Sequence, residues 1–156
     1  MTMPKQSAGI LMYRRRGSAV EVLLVHPGGP FWRKKDMGAW SIPKGEHDTE
    51  ENALEAARRE FKEETGSEPE GDLVPLGAVK QSGGKTVHAW AIEGDCDPSK
   101  IRSNAFSMEW PPKSGKTQSF PEIDRAAWFS VEDARGKLHK GQVPFLDRLL
   151  DLLERS

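Results

Sequence analysis

The first thirty residues alternate between short apolar runs and a polar turn in a pattern that predicts a β-hairpin. Segments 8–13 and 20–25 are apolar and partly β-branched, and the basic turn 14–18 separates them. Four later segments share the strand pattern, and the first two flank a glycine-rich turn that predicts a second hairpin. These segments span residues 73–80, 86–92, 105–110 and 126–129.

Helical spacing of apolar residues is clearest from residue 48 to about residue 65. Asp48 and Glu51 resemble a capping box at the start, and Gly66 is a natural stop. Ser130 is positioned to cap a short helix, and Pro144 to open a last helix with a leucine-rich stripe. The order of elements predicts one α/β domain over 1–156, with helices packed against a mixed or largely antiparallel sheet.

Composition and apolar run length exclude several classes of protein. The longest apolar runs, 10–13 and 22–25, fall far short of the roughly 20 residues of a membrane helix. The polar N-terminus has no apolar signal-peptide core, so we expect a cytoplasmic protein with no membrane partner. The single cysteine, Cys96, excludes an internal disulfide, and the four histidines show no zinc-ligand spacing. Residues 14–16 form too small a basic cluster to predict a DNA partner.

The net charge of −1 hides a strong asymmetry along the chain. Residues 1–44 carry eight Lys and Arg against two Asp and Glu, whereas residues 45–66 carry three against eight. A basic segment beside an acidic cluster suits a phosphorylated ligand held through a divalent cation.

Three glutamates of the predicted helix are crowded together at the edge of its apolar face. At 100° per residue, Glu60, Glu63 and Glu64 lie within about 100° of one another. Like charges at this spacing destabilise a helix by roughly 0.2–0.5 kcal/mol per pair, and a cation would remove that penalty. Ligand sets made only of oxygen suit Mg²⁺, with Mn²⁺ as the alternative.

The stretch around these glutamates resembles the Nudix box, the signature of the Nudix hydrolase family. The pattern Gly-x5-Glu-x7-Arg-Glu-apolar-x-Glu-Glu-x-Gly is matched at every specified position. The matching residues are Gly45, Glu51, Arg59, Glu60, Phe61, Glu63, Glu64 and Gly66.

The resemblance implies a Nudix-type α/β/α sandwich with a mixed sheet. It also implies an enzyme that splits a diphosphate-linked compound by attack of water at phosphorus. Mg²⁺ would be held by Glu60, Glu63 and Glu64 with the backbone carbonyl of Gly45. Arg59 would orient the glutamates through charge-assisted contacts, supported by Glu51.

The general base differs between family members, so the resemblance leaves it open. Glu63 and Glu64 are candidates within the box. Glu122, six residues before Trp128, resembles a loop glutamate that some members use, although a surface acid is the alternative interpretation.

The residues around the box favour one group of substrates without defining it. Pro-Lys-Gly at 43–45 resembles diadenosine and diphosphoinositol polyphosphate hydrolases more than MutT-type enzymes, and it implies that Lys44 contacts a phosphate. Trp32 is a candidate for stacking on a base, and Lys116 for contacting a polyphosphate, each against the alternative of an ordinary surface residue.

Substrate specificity is expected to come from loops 26–39 and 111–122. A dinucleoside polyphosphate such as diadenosine tetraphosphate is slightly favoured. The alternatives are a MutT-type nucleoside triphosphate pyrophosphatase, a diphosphoinositol polyphosphate hydrolase and a non-catalytic nucleotide-binding module on the same fold.

Overall fold

The computed structural model describes residues 6–48, 50–81 and 84–155, and β-strands dominate these ranges. The two predicted hairpins are confirmed as antiparallel pairs, β1 with β2 and β4 with β5. The strands are β1 (Gln6–Arg16), β2 (Ala19–Pro27), β3 (Lys44–His47), β4 (Val74–Lys80), β5 (Thr86–Glu93), β6 (Ala105–Glu109), β7 (Thr117–Pro121) and β8 (Ile123–Ser130).

Strand β1 organises the main sheet because it pairs with three neighbours. It is antiparallel to β2 through its C-terminal half and to β3 through its first residues, and it is parallel to β5 along its length. The order β4-β5-β1-β2-β8 gives a mixed sheet, while β6 and β7 form a separate two-stranded hairpin.

The helices α1 (Ala53–Thr65), α2 (Val131–Lys137) and α3 (Pro144–Arg155) cover the two faces of the main sheet. One face packs its buried residues against Ala56, Ala57 and Phe61 of α1. The opposite face packs against α2 and α3, with Phe145 and Leu149 fully buried. This arrangement confirms the predicted α/β/α sandwich. Within the described residues, no helix is both long and apolar enough to cross a membrane.

The boundaries of the predicted helices are confirmed at three of their ends and wrong at one. Gly66 ends α1 in the left-handed conformation, Ser130 caps α2, and Pro144 opens α3. Helix α1, however, begins at Ala53 rather than near residue 48, with Asn52 as its N-cap. Asp48 instead accepts hydrogen bonds from the backbone N–H groups of Glu50 and Glu51, so it stabilises a turn before the helix.

Two strands lie where the hydrophobic pattern predicts none. Strand β3 contains Gly45, the first residue of the motif that resembles the Nudix box. Strand β7 lies inside segment 111–122, which was expected to be a loop. Both strands are short and mostly polar, so neither has the apolar alternation by which strands are identified. The turn predicted between β4 and β5 includes residues 82 and 83, which lie outside the described ranges.

Candidate active site

Strand β3 and helix α1 come into direct contact at Gly45. A Cβ atom at this position would lie 2.0 Å from the carboxylate carbon of Glu60, so any larger residue would displace that carboxylate from its present place. The next residue back, Lys44, donates its backbone N–H to Glu64 Oε2 at 3.0 Å. These two contacts hold the buried edge of α1 against the strand and place two carboxylates beside one stretch of backbone.

Arg59 links the glutamates on the exposed side of α1. Its Nε and Nη2 atoms donate to the two carboxylate oxygens of Glu51 at 3.0 and 2.9 Å. Its Nη1 atom donates to Glu60 at 2.8 Å and lies 3.5 Å from both oxygens of Glu63. The two-pronged bond to Glu51 raises the pKa of Arg59 and lowers that of Glu51. Arg59 therefore remains charged and fixes the orientation of the acidic cluster.

Burial shapes the electrostatics of the other two carboxyl groups. It raises the pKa of Glu64 to about 8, with the negative charges of Glu60 and Glu122 adding to the effect and the N–H of Lys44 opposing it. Burial also raises the pKa of Glu60, although Arg59 counteracts this. The site thus contains two acids whose charged forms lack full compensation.

Glu64 and Lys44 line a small cavity of about 190 Å³ together with Glu122. Glu122 is exposed, and its backbone is held on both sides, since its N–H donates to Asn104 and its carbonyl accepts from Gly28. Burial and the neighbouring Lys85 lower the pKa of Lys44. The cavity therefore combines two acids with one cation.

A second, apolar cavity of about 410 Å³ adjoins the first, and Glu122 lines both. One wall is the loop after β2, and the other is β6 of the separate hairpin. Gly29 has a φ of +100° and lies against the Phe106 ring, so the loop and the hairpin approach closely there. The other aromatic and long apolar side chains lining this cavity are Phe31, Trp32 and Met108.

Loop 26–39 lines this apolar cavity, loop 111–122 reaches it through Glu122, and Trp110 directly precedes the second loop. Phe31 and Trp110 pack edge to face with ring centroids 5.5 Å apart. The Trp32 side chain is 39% exposed, and the Lys35 ammonium lies 5.1 Å from the centre of its ring. Lys116 lies in the exposed turn between β6 and β7, and it is not among the residues lining either cavity.

The donor atoms along α1 suit a hard divalent cation in type. Glu60, Glu63 and Glu64 offer only carboxylate oxygens, and a cation would offset the burial that raises the pKa of Glu64. In the part of the chain that the structure describes, no three His, Cys, Asp or Glu side chains already form a metal-binding group. A cation would therefore have to compete with Arg59, which contacts both Glu60 and Glu63.

Sequence reasoning missed a buried histidine behind these cavities. His26 is 0% exposed at the end of β2, and it contacts Asp124 and the backbone carbonyl of Lys35. The sequence contains no spacing signal for this contact, because His26 and Asp124 are 98 positions apart. Phe106 and Met108 were also missed as cavity residues, since their segment predicts only a strand.

Comparisons with known proteins agree with the fold and with the motif. The structure resembles a C. elegans Ap4A hydrolase solved as a binary complex, with a TM-score of 0.67 and 22% identity, covering 97% of this chain and 99% of that one. It also resembles the NUDIX domain of Shewanella oneidensis NrtR complexed with ADP ribose, with a TM-score of 0.66 and 14% identity over 98% and 90% of the chains.

One curated relative is much longer than this chain and matches it over only part of its length. The octanoyltransferase of Myxococcus xanthus is 28% identical over 135 residues, which is 86% of this chain but 33% of the relative. This chain therefore spans about a third of that protein. The model of the NUDIX domain matches residues 3–149. With the motif, the sandwich and this match in agreement, the chain belongs to the Nudix family, whose hydrolases act on anhydrides in phosphorus-containing compounds.

Proposed function

We propose that this protein is a Mg²⁺-dependent pyrophosphohydrolase that cleaves a nucleoside diphosphate-linked compound. Nudix enzymes generally use divalent metal ions, and an oxygen-only ligand set favours Mg²⁺, with Mn²⁺ as the alternative. The substrate is a small molecule, with no DNA or membrane partner, and the proposed location is the cytoplasm.

The observation that carries this proposal is the junction of the two cavities at Glu122. On one side, Lys44 in a cavity of about 190 Å³ is a cation for a phosphate oxygen, beside the acidic Glu64. On the other side, Phe31 and Trp32 provide exposed aromatic surface against which a base can stack. A nucleotide placed across the junction would have its anhydride next to the acidic edge of α1.

Each residue has a proposed role in this arrangement. Mg²⁺ would be held by Glu60, Glu63, Glu64 and the Gly45 carbonyl, and there it would neutralise a diphosphate and make a water easier to deprotonate. Arg59 orients the glutamates, and Lys44 binds a phosphate oxygen. Lys116 is proposed to contact the far end of a longer polyphosphate from the hairpin turn.

Glu122 is the proposed general base, with Glu63 and Glu64 as alternatives. Its side chain lies where the two cavities meet, and its backbone is fixed by Asn104 and Gly28. In the reaction, the water oxygen bonds to phosphorus as Glu122 accepts its proton, and the bridging P–O bond breaks to release a phosphorylated product.

Dinucleoside polyphosphates, such as diadenosine tetraphosphate, are the proposed substrates. Lys44 precedes Gly45 in the position where the Pro-Lys-Gly pattern resembles diadenosine polyphosphate hydrolases, and the fold resembles the C. elegans Ap4A hydrolase. A MutT-type triphosphate, an inositol pyrophosphate and binding without cleavage are the alternatives that the experiment must separate.

The test is chromatography of products formed from a panel of compounds in the presence and absence of Mg²⁺. The panel contains diadenosine tetraphosphate, dGTP and its oxidised form, ADP-ribose and an inositol pyrophosphate. Glu122→Gln is expected to reduce kcat by about 10²–10⁴-fold, which is the usual contribution of a general base. Glu55→Gln is the matched control, because Glu55 is an exposed glutamate of α1 that lines neither cavity.

The outcomes separate the candidate functions. Mg²⁺-dependent cleavage of diadenosine tetraphosphate, lost in Glu122→Gln and kept in Glu55→Gln, supports the proposal in full. Preference for dGTP or the inositol pyrophosphate would overturn the substrate class but keep the chemistry. Binding of a panel member without cleavage by Mg²⁺ or Mn²⁺ would overturn the enzyme in favour of a binding module.

A further inference from the structure

Both ring nitrogens of the buried His26 face oxygen acceptors. Nδ1 lies 2.8 Å from Oδ1 of Asp124, and Nε2 lies 2.6 Å from the backbone carbonyl oxygen of Lys35. The side chain is 0% exposed, so water does not supply an alternative partner. The edge of the ring also packs on Trp40, with centroids 5.1 Å apart.

A neutral imidazole does not satisfy this geometry. It has one N–H donor, and its other nitrogen presents a lone pair. A lone pair facing either oxygen at hydrogen-bond distance would be repelled, whereas an imidazolium donates to both. A carboxylate and a backbone carbonyl are therefore the partners of a doubly protonated ring.

The two acceptors belong to different parts of the candidate site. Lys35 lies in the loop that carries Phe31 and Trp32, while Asp124 is in β8, two residues after Glu122. His26 thus joins the aromatic wall of the apolar cavity to the strand that positions the proposed base.

Other charged groups around His26 are engaged with neighbours of their own. The Arg125 guanidinium lies over the Trp40 ring at 5.2 Å and is 3.9 Å from Asp124. Asp36 accepts from Trp40 and pairs with Lys137 of α2. The groups facing this region from the loop, β8 and α2 are Lys35, Asp36, Asp124, Arg125 and Lys137.

We infer that His26 is a positioning residue that acts as an imidazolium, tying the loop with Trp32 to the segment with Glu122. Loss of one ring proton breaks one of the two hydrogen bonds and loosens the loop. Affinity for substrate then depends on the protonation of His26. This last statement rests on the proposed function, whereas the hydrogen bonds and the loop mobility do not.

The hydrogen bonds are tested by NMR on the whole chain. Correlations between ring carbons' protons and the imidazole nitrogens distinguish an imidazolium from each neutral tautomer, and His26→Gln assigns the signals. Because both nitrogens face oxygen acceptors, we expect both to carry protons in the folded protein. A neutral ring with a single protonated nitrogen throughout the pH range in which the protein is folded would overturn the inference, and this readout needs no substrate.

Loop mobility is tested with trypsin, which cleaves after basic residues such as Arg33, Lys34 and Lys35. At one fixed pH, the His26→Gln protein should be cut within this loop about tenfold faster, as expected for loss of one charge-assisted hydrogen bond. His88→Gln is the matched control, because His88 bonds the Gln6 side chain on β1 and does not contact the loop. Equal rates of cleavage for wild type and His26→Gln would show that His26 does not hold this loop in place.

The functional consequence is tested by the pH profile of KM and kcat for the substrate found with the panel. Wild-type KM should rise as the NMR signals show His26 losing its proton, and His26→Gln should have a raised KM that is flat over this range. A merely structural histidine would leave the shape of the wild-type profile in the variant. If no panel compound is cleaved, the proposed function fails while NMR and proteolysis still decide the inference.

Discussion

Gly45 illustrates how a single residue can be required by a neighbour rather than by its own backbone. Its φ is not among the positive values found at other glycines, so an alanine would fit the strand conformation. The obstacle is the Glu60 carboxylate, which occupies the place of a Cβ atom at 2.0 Å. Glycine is therefore needed at this position because of the acidic site, and not because the backbone adopts a turn conformation there.

Gly45→Ala is expected to displace Glu60 and lower Mg²⁺-dependent activity by about 10–100-fold, the usual range for residues that support a metal ligand. The measurement is kcat/KM as a function of Mg²⁺ concentration, because a displaced ligand shifts the concentration needed for half activity. Overpacking should also reduce the free energy of unfolding by about 1–3 kcal/mol.

Gly94→Ala is the matched control for this substitution. A Cβ atom at Gly94 would meet only the flexible Met12 side chain, with its nearest atom at 3.1 Å, and Gly94 also has no positive φ. The control should retain its Mg²⁺ dependence. Unchanged Mg²⁺ dependence in Gly45→Ala as well would show that Glu60 does not hold the metal.

At the scale of elements, the start of α1 depends on two successive turns. Asp48 accepts from the N–H groups of Glu50 and Glu51, and Asn52 then accepts from those of Leu54 and Glu55 at 2.9 and 3.2 Å. The first turn places Glu51 outside the helix, where its carboxylate reaches Arg59. If the helix began at residue 48, Glu51 would instead be one of its residues.

Asn52→Ala should lower the free energy of unfolding by about 1 kcal/mol, because it removes the side-chain acceptor of the N-cap. Chemical denaturation followed by circular dichroism measures this difference. Asn52→Asp supplies an equivalent acceptor and should stay within about 0.5 kcal/mol of wild type. A loss as large in Asn52→Asp would show that the amide group, rather than helix capping, supports this position.

The sequence predicted elements well where one physical signal dominated. Apolar runs located β1, β2, β4 and β5, which supply buried residues of the main sheet, and they also located β6 and the partly buried β8. Strand β7 has no such signal because its residues are mostly polar and exposed. The false start of α1 has a similar cause, since Asp48 is an equally good acceptor for a turn or for a helix.

Within the candidate site, the parts formed by residues close in sequence were predictable, and the parts formed by distant segments were not. The acidic cluster is local in sequence, so helical geometry and a recognisable motif brought Arg59, Glu60 and Glu64 together in advance. The apolar cavity and the contact of His26 with Asp124 depend on tertiary packing of segments roughly 80–100 residues apart, and no local pattern encodes such pairs.

At the scale of the whole molecule, the sandwich places the carboxyl group of Glu64 in a partly buried position where its negative charge is unfavourable. Helix α1 is packed against the sheet through Ala57 and Phe61, and this packing carries Glu64 into a partly buried position beside Lys44. Hydrophobic burial on that face thus opposes the ionisation of Glu64. Stability of the metal-free fold must then depend on pH.

The sign of that dependence follows from the raised pKa. Glu64 has a pKa of about 8 in the folded protein, well above the ordinary value of 4.5, so the folded state binds the proton more tightly than the unfolded chain. Its contribution to stability is fully present below pH 4.5 and is lost as pH rises through about 8. Metal-free protein should lose about 1–3 kcal/mol across this window, allowing for the partial exposure of the side chain.

Thermal unfolding in a chelator between pH 5 and pH 9 tests this prediction on wild type and Glu64→Gln. The glutamine stays neutral and still offers an oxygen to the N–H of Lys44, so the variant should unfold at a higher temperature than wild type at alkaline pH and at a similar one at acidic pH. Mg²⁺ should raise the Tm of wild type most at alkaline pH, where the carboxylate is ionised, and should raise that of the variant much less. Parallel pH profiles for the two proteins would mean that another group controls alkaline stability, and equal stabilisation by Mg²⁺ would remove Glu64 from the metal site.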